Sequence, residues 1–174
     1  VHRTEKTGYK RPLSFIITIL MGLPFDGYRV HHSNHHRYNN NFRDFSSTWR
    51  WDNGTLKPRS ILNYCLAWPW HTERVRKSIR FQHRRKHIAA GVLSRITEQK
   101  GVLFIVVIAL AALSPWILLL YVATIYMGWC LISLHNYIQH PPTPSQKITS
   151  CYSAAYNILF CNNGLHIEHH QQPG

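Results

Sequence analysis

Histidines in this chain are spaced for joint work on a metal. His32, His35 and His36 stand as H-x-x-H-H inside the segment 27–40, and His166, His169 and His170 repeat that pattern close to the other end. Residues three and four apart share one face of a helix, so each triplet can present its imidazoles together. One such triplet is compatible with chance, with a pH-responsive patch or with adventitious metal affinity. Two copies, one on each side of a long apolar run, point to metal ligation. Neutral imidazole suits iron, zinc and copper, and no C-x-x-C pair supplies thiolates. Six or more imidazoles exceed the four ligands of one tetrahedral zinc, which implies two metals. With no carboxylate among the ligands, the metal charge stays uncompensated and the site favours oxidative over hydrolytic chemistry. Carboxylates beside the ligands, such as Glu168 or Asp44, could restore some balance.

The elements that must hold these triplets are set by the apolar pattern. Residues 102–134 carry no charge. A spanning helix needs roughly 20 apolar residues, so this run is too long for one ordinary span and long enough for two short ones. Ser114-Pro115 lies near its middle, and proline disfavours helix in the residue before it. The expectation is a transmembrane hairpin, 102–113 and 116–134; the rival is a single, strongly tilted helix. If both triplets serve one metal pair they lie on one membrane face, which requires an even number of crossings and favours the hairpin. The shorter apolar stretches 13–25 and 61–70 fit re-entrant or interfacial helices. The fold class expected is all-α: an integral-membrane helical protein with one hairpin, interfacial helices and a histidine-rich di-metal cap, forming a single domain over 1–174.

Charge agrees with a membrane. The 174 residues contain 20 Lys+Arg against 7 Asp+Glu, a formal charge of +13, and nineteen of those cations precede residue 101. The positive-inside rule puts that half, and the histidines with it, on the cytoplasmic face of a multi-pass protein. Most of these cations suit anionic lipid. Nucleic acid is not expected as a partner, because no recognition module accompanies the charge. His83 and His87 match H-x-x-x-H, but the cations Arg84, Arg85 and Lys86 between them oppose a metal ion, and the segment reads as part of a basic helix. Cys65, Cys130, Cys151 and Cys161 read as free thiols in a reducing compartment. The chain opens on Val1 without methionine and closes inside a motif, so it reads as a fragment cut at both ends.

H-x-x-H-H before a hairpin and N-N-G-x-H-x-E-H-H-x-x-P after it resemble the membrane fatty acid desaturase family, over nearly the whole chain. The resemblance implies three histidine boxes holding two irons. It makes His2, which stands 30 residues before His32, the last histidine of a truncated first box. It also offers Asn136 and His140, an Asn-x-x-x-His at the end of the second hairpin arm, as further ligands. The site residues implied are thus His2, His32, His35, His36, Asn136, His140, His166, His169 and His170, with the histidines catalytic through the metals. His135 and His31 read as neighbours. The implied activity is O2-dependent desaturation of a fatty acyl chain on a lipid or acyl-CoA, with electrons from a ferredoxin or cytochrome b5-like donor docking on residues 74–100. Hydroxylases and carotenoid ketolases or hydroxylases share the scaffold. The reading from another class is a non-catalytic membrane metal-binding protein, against which the scarcity of polar groups in 102–134 counts.

Overall fold

The computed structural model describes residues 10–143, 145 and 148–172. Eight helices and one two-stranded hairpin follow one another among them: α1 (Lys10–Met21), α2 (Phe25–Tyr38), β1 (Trp49–Asp52), β2 (Thr55–Pro58), α3 (Ile61–Leu66), α4 (Trp68–Arg84), α5 (Ala90–Leu113), α6 (Pro115–Gln139), α7 (Ala154–Leu159) and α8 (His166–Gln171). The chain forms two compact units, one of Val1–His31 with Ile79–Met127, the other of His32–Ser78 with Gly128–Gly174.

The first unit is polar inside and apolar outside. Thr18 and Gln99 are fully buried and Asp26 nearly so, while Phe104, Leu113, Trp116 and Leu120 are more than two-thirds exposed. That inversion is what a hydrocarbon solvent selects. α5 and α6 are each long and apolar enough to cross a membrane. At about 1.5 Å per residue, their 24 and 25 residues exceed the roughly 30 Å of a hydrocarbon core. The break between them is a helix cap written in two residues: Ser114 is extended and its Oγ accepts from the Trp116 amide at 3.3 Å, while Pro115 takes the first helical position. Two helices therefore replace the single tilted span.

α5 begins twelve residues before the apolar run does, at Ala90 rather than 102. The charges that interrupt hydropathy there are paired within the unit. Glu98 meets Arg11 of α1 at 2.6 Å, and Arg95 Nε lies 3.3 Å from Asp26 of α2. Gln99 completes the arrangement: its Oε1 accepts from the Asp26 amide at 3.1 Å and its Nε2 donates to Asp26 Oδ2 at 3.0 Å. The stretch 13–25 resolves into α1, a break and the start of α2. Gly22 at φ +65° ends α1, and Thr18 Oγ1 accepts from the Phe25 amide that opens α2. A Cβ at Gly22 would overlap Ile125, so the position suits only glycine. The two helices meet at 84°, as in a re-entrant loop or a broken span.

The second unit contains the hairpin β1–β2, paired antiparallel with Asp52 opposite Thr55. Its turn is Asn53-Gly54, both at positive φ, the two-residue connection that matches strand twist. An all-α reading overlooked this short ribbon although Asn-Gly announces it. The basic helix is also shorter than expected. α4 stops at Arg84, Lys86 turns at φ +55° and the His87 amide donates back to Gln82 O, so His83 lies in the last turn and His87 beyond it. All four cysteines are free.

Candidate metal centre

α2 carries His32, His35 and His36. Four residues separate His32 from His36, which puts them about 40° apart round the axis, with His35 about 60° to the other side of His32 and about 100° from His36. α8 repeats the logic with His166 and His170 paired and His169 apart. Within the second unit the two helices interleave these faces into two groups. His32, His36 and His169 form one; His35, His140, His166 and His170 form the other. Each H-x-x-H-H thus lends two rings to one group and one ring to the other. His140 is added from the residue after α6.

In the first group the three Nε2 atoms form a triangle. His32 lies 2.9 Å from His36 and 3.1 Å from His169, and His36 lies 2.9 Å from His169. In the second, His140 Nε2 is 2.9 Å from His35 Nε2 and 2.7 Å from His166 Nε2. An imidazole nitrogen has one in-plane lone pair or one N–H, and cannot address two neighbours at once. Three nitrogens in mutual contact are therefore poorly served by hydrogen bonds and well served by one central cation. His170 Nε2 fits the same reading, since it is buried without a hydrogen-bond partner. Nitrogens held at about 2.1 Å from a metal sit about 3.0 Å apart at right angles and about 3.4 Å apart in a tetrahedron. The observed separations match the former.

The second group is the drier of the two: His35, His140 and His166 are buried, whereas His169 of the first is exposed. Its orientation rests on Asp44, a fully buried carboxylate. Asp44 Oδ2 lies 2.7 Å from His35 Nδ1 and accepts from the Asn40 amide at 2.8 Å; Oδ1 accepts from the Ser46 amide at 2.7 Å. A carboxylate at Nδ1 keeps the proton there and turns the Nε2 lone pair toward the group. The loop 39–48 that delivers Asp44 is shaped by Asn39 and Asn40, both at positive φ, where asparagine is tolerated. Asn40 Oδ1 accepts from the Ser47 hydroxyl and the Thr48 amide, each at 2.9 Å, and Thr48 Oγ1 donates to His140 O at 2.7 Å. One loop therefore anchors both His35 and His140.

The N-N-G before α8 has a mechanical role. Gln139 Nε2 donates to Asn163 O at 2.6 Å, and Asn163 Nδ2 lies 3.1 Å from His135 Nδ1. Gly164 passes so close to Cys151 O and Asn157 that a Cβ would collide with both. Glu168 faces away from the imidazoles and accepts from Tyr152 Oη at 2.8 Å and Ser150 Oγ at 3.2 Å, which pins the helix. Asn136 donates from Nδ2 to Tyr64 Oη at 2.6 Å, a pairing with no sequence signal. His2 lies outside the described residues. His31 and His135 belong to neither group.

Burial, followed by the charge of neighbouring rings, pushes His166 and His170 down to about 3, and burial depresses His140 as well. The folded chain thus holds these rings neutral, the form that ligates metal. As pH falls below the ordinary histidine value of about 6.5, the unfolded chain takes up protons before the folded one. The metal-free protein is expected to keep its stability above that value and to lose it steadily toward pH 3. Thermal unfolding of apo protein in detergent between pH 7.5 and 4 tests this; a melting temperature flat across that range would remove the account.

Fold and site together define a helical membrane protein with two histidine groups able to hold metal ions. The chain belongs to the fatty acid desaturase family, whose model, described as Fatty acid desaturase, matches residues 1–174. No curated protein and no solved structure matches it.

Proposed function

We propose that this protein is an O2-dependent di-iron oxidoreductase that introduces a double bond into a fatty acyl chain of a lipid or acyl-CoA. The observation that carries the reading is the sorting of seven imidazoles into two adjoining groups, at separations suited to right-angled coordination rather than tetrahedral zinc. Bound iron would supply O2 activation and hydrogen removal from an unactivated methylene pair. The balance needs two electrons and two protons from outside, with O2 leaving as two waters.

The chain's own residues set the conditions. His35, His140, His166 and His170 would hold one ion, and His32, His36 and His169 the other, with His2 as a further ligand. Asn136 would ligate through Oδ1, because Nδ2 is engaged by Tyr64. Asp44 keeps a proton on His35 Nδ1, and Glu168 holds α8 in register. The positive-inside rule supports a cytoplasmic position for the basic half and its histidines. The exposed cations Arg76, Lys77, Arg80, Arg84, Arg85 and Lys86 suit docking of an acidic electron carrier such as a ferredoxin or a cytochrome b5-like protein.

Metal analysis and lipid analysis test the reading together. Purified intact protein should carry about two irons, and cells expressing it should gain an unsaturated acyl species that His169→Ala abolishes. A hydroxylated chain in place of the alkene would move the assignment to a hydroxylase on the same scaffold. Zinc in place of iron would favour a non-catalytic metal binder, and no metal at all would end the oxygenase reading.

A further inference from the structure

Residues 148–167 contain no Lys, Arg, Asp or Glu, and α7 in their middle turns its apolar side outward. Ala155, Ile158 and Leu159 stand three and four residues apart and so share that side. Ile158 is 80 % exposed and Leu159 74 %. The inner side holds the aromatic and polar groups. Tyr156 and Phe160, the residue after the helix, lie against His135 of α6, with ring centroids 5.6 and 4.5 Å away. Asn157 Nδ2 donates to Cys151 O at 2.9 Å and to Ser153 O at 3.1 Å, and Asn157 Oδ1 accepts from the Gly164 amide at 3.0 Å.

The place of α7 on α6 says what covers its outer side. The apolar run of the hairpin ends at Leu134 while α6 goes on to Gln139, so His135 stands where the helix leaves hydrocarbon. His135 also shares a stripe of α6 with Leu131, four residues before it, and Ile138, three after it, both exposed. α7 therefore lies beside an apolar stripe that a membrane-spanning helix shows to lipid, and Ile158 and Leu159 extend the same surface. Tyr152 stands at its edge, with its ring exposed and its hydroxyl bonded to Glu168, an amphipathic arrangement suited to the headgroup boundary. Exposed apolar patches of this kind mark contact with a membrane or a partner, and the continuity with α6 selects the membrane.

We propose that α7 and Tyr152 form an interfacial segment seated in the acyl–headgroup boundary of the bilayer, and that this seat fixes the height of α8 at the membrane surface. The bonds that reach α8 start from the seat. Cys151 N donates to Gly164 O at 2.9 Å, and Tyr152 Oη donates to Glu168 Oε1 at 2.8 Å. The partner is the lipid layer itself, held by apolar contact. With no charge in the segment, the seat needs no anionic headgroup, unlike the basic α4.

Spin labels test the seat in intact protein reconstituted into phosphatidylcholine bilayers. Ile158→Cys and Leu159→Cys are labelled one at a time, in a chain carrying Cys65→Ala, Cys130→Ala, Cys151→Ser and Cys161→Ser. Oxygen concentrates in hydrocarbon and a neutral nickel chelate in water. Each label is expected to relax faster with oxygen than with the chelate, as is a label at Leu120→Cys, exposed on α6. Faster relaxation with the chelate overturns the proposal. Shielding from both reagents overturns it as well, because a second copy of this chain or a single bound acyl chain would then cover the face. A second measurement needs no substitution. Phosphatidylcholine with a diazirine in its acyl chain should leave adducts on residues 154–159 of the natural chain, and adducts on α6 with none there would count against the seat. Neither readout involves iron or turnover, so failure here is distinct from failure of the oxygenase reading.

Discussion

On the di-iron desaturase reading proposed above, His140→Ala is expected to lower bound iron from about two per chain to about one and to cut desaturation on the order of 10³-fold, the rate equivalent of roughly 4 kcal/mol. The ring is 2 % exposed and its Nε2 stands between those of His35 and His166, at 2.9 and 2.7 Å. The substitution is clean, because the bond from Thr48 Oγ1 goes to the backbone carbonyl of His140, which alanine keeps. His135→Ala is the contrast. That ring pairs through Nδ1 with Asn163 and packs on Phe160, outside both groups, so both irons should remain. Iron determination on the two purified variants decides the matter. Full iron content in His140→Ala would remove this residue from the ligand set.

The second large effect is expected at Asp44, which touches no metal position. Three donors converge on its carboxylate: His35 Nδ1 and the amides of Asn40 and Ser46. Asparagine offers one oxygen and one NH2, so Asp44→Asn opposes at least one of those donors and withdraws the charge that holds the Nδ1 proton. Metal affinity of the four-histidine group should fall about 10–100-fold, the usual cost of losing a partner to a ligating imidazole. Folding stability should fall by about 1–3 kcal/mol through the unsatisfied amide. The three-histidine group contains no ring bonded to Asp44 and should change far less. Chelator competition resolves the two affinities; equal loss at both would show a general folding defect in place of positioning.

Much of this architecture could be read from local pattern. The i, i+4 pairs His32/His36 and His166/His170 identify one face each, because helical periodicity is a property of the nearest neighbours along the chain. Ser114-Pro115 marked the helix break, because a hydroxyl cap followed by proline acts within one turn. Asn53-Gly54 carried an equally local signal for β1–β2. The true start of α5 was hidden, because Arg95 and Glu98 look like an end to an apolar helix until Asp26 and Arg11 are beside them.

Residue types and spacing were therefore enough to establish a membrane protein with two histidine triplets fit for metal, since hydropathy and helical repeat are summed over adjacent residues. They could not say that His35 parts from His32 and His36 to join His140, His166 and His170, nor that Asp44 stands behind His35. Nor did they connect Asn136 with Tyr64. Each of these is a contact between side chains far apart in the chain. Their separation in space is set by how α2, α6, α8 and the loop 39–48 pack, and no window of neighbouring residues contains that distance.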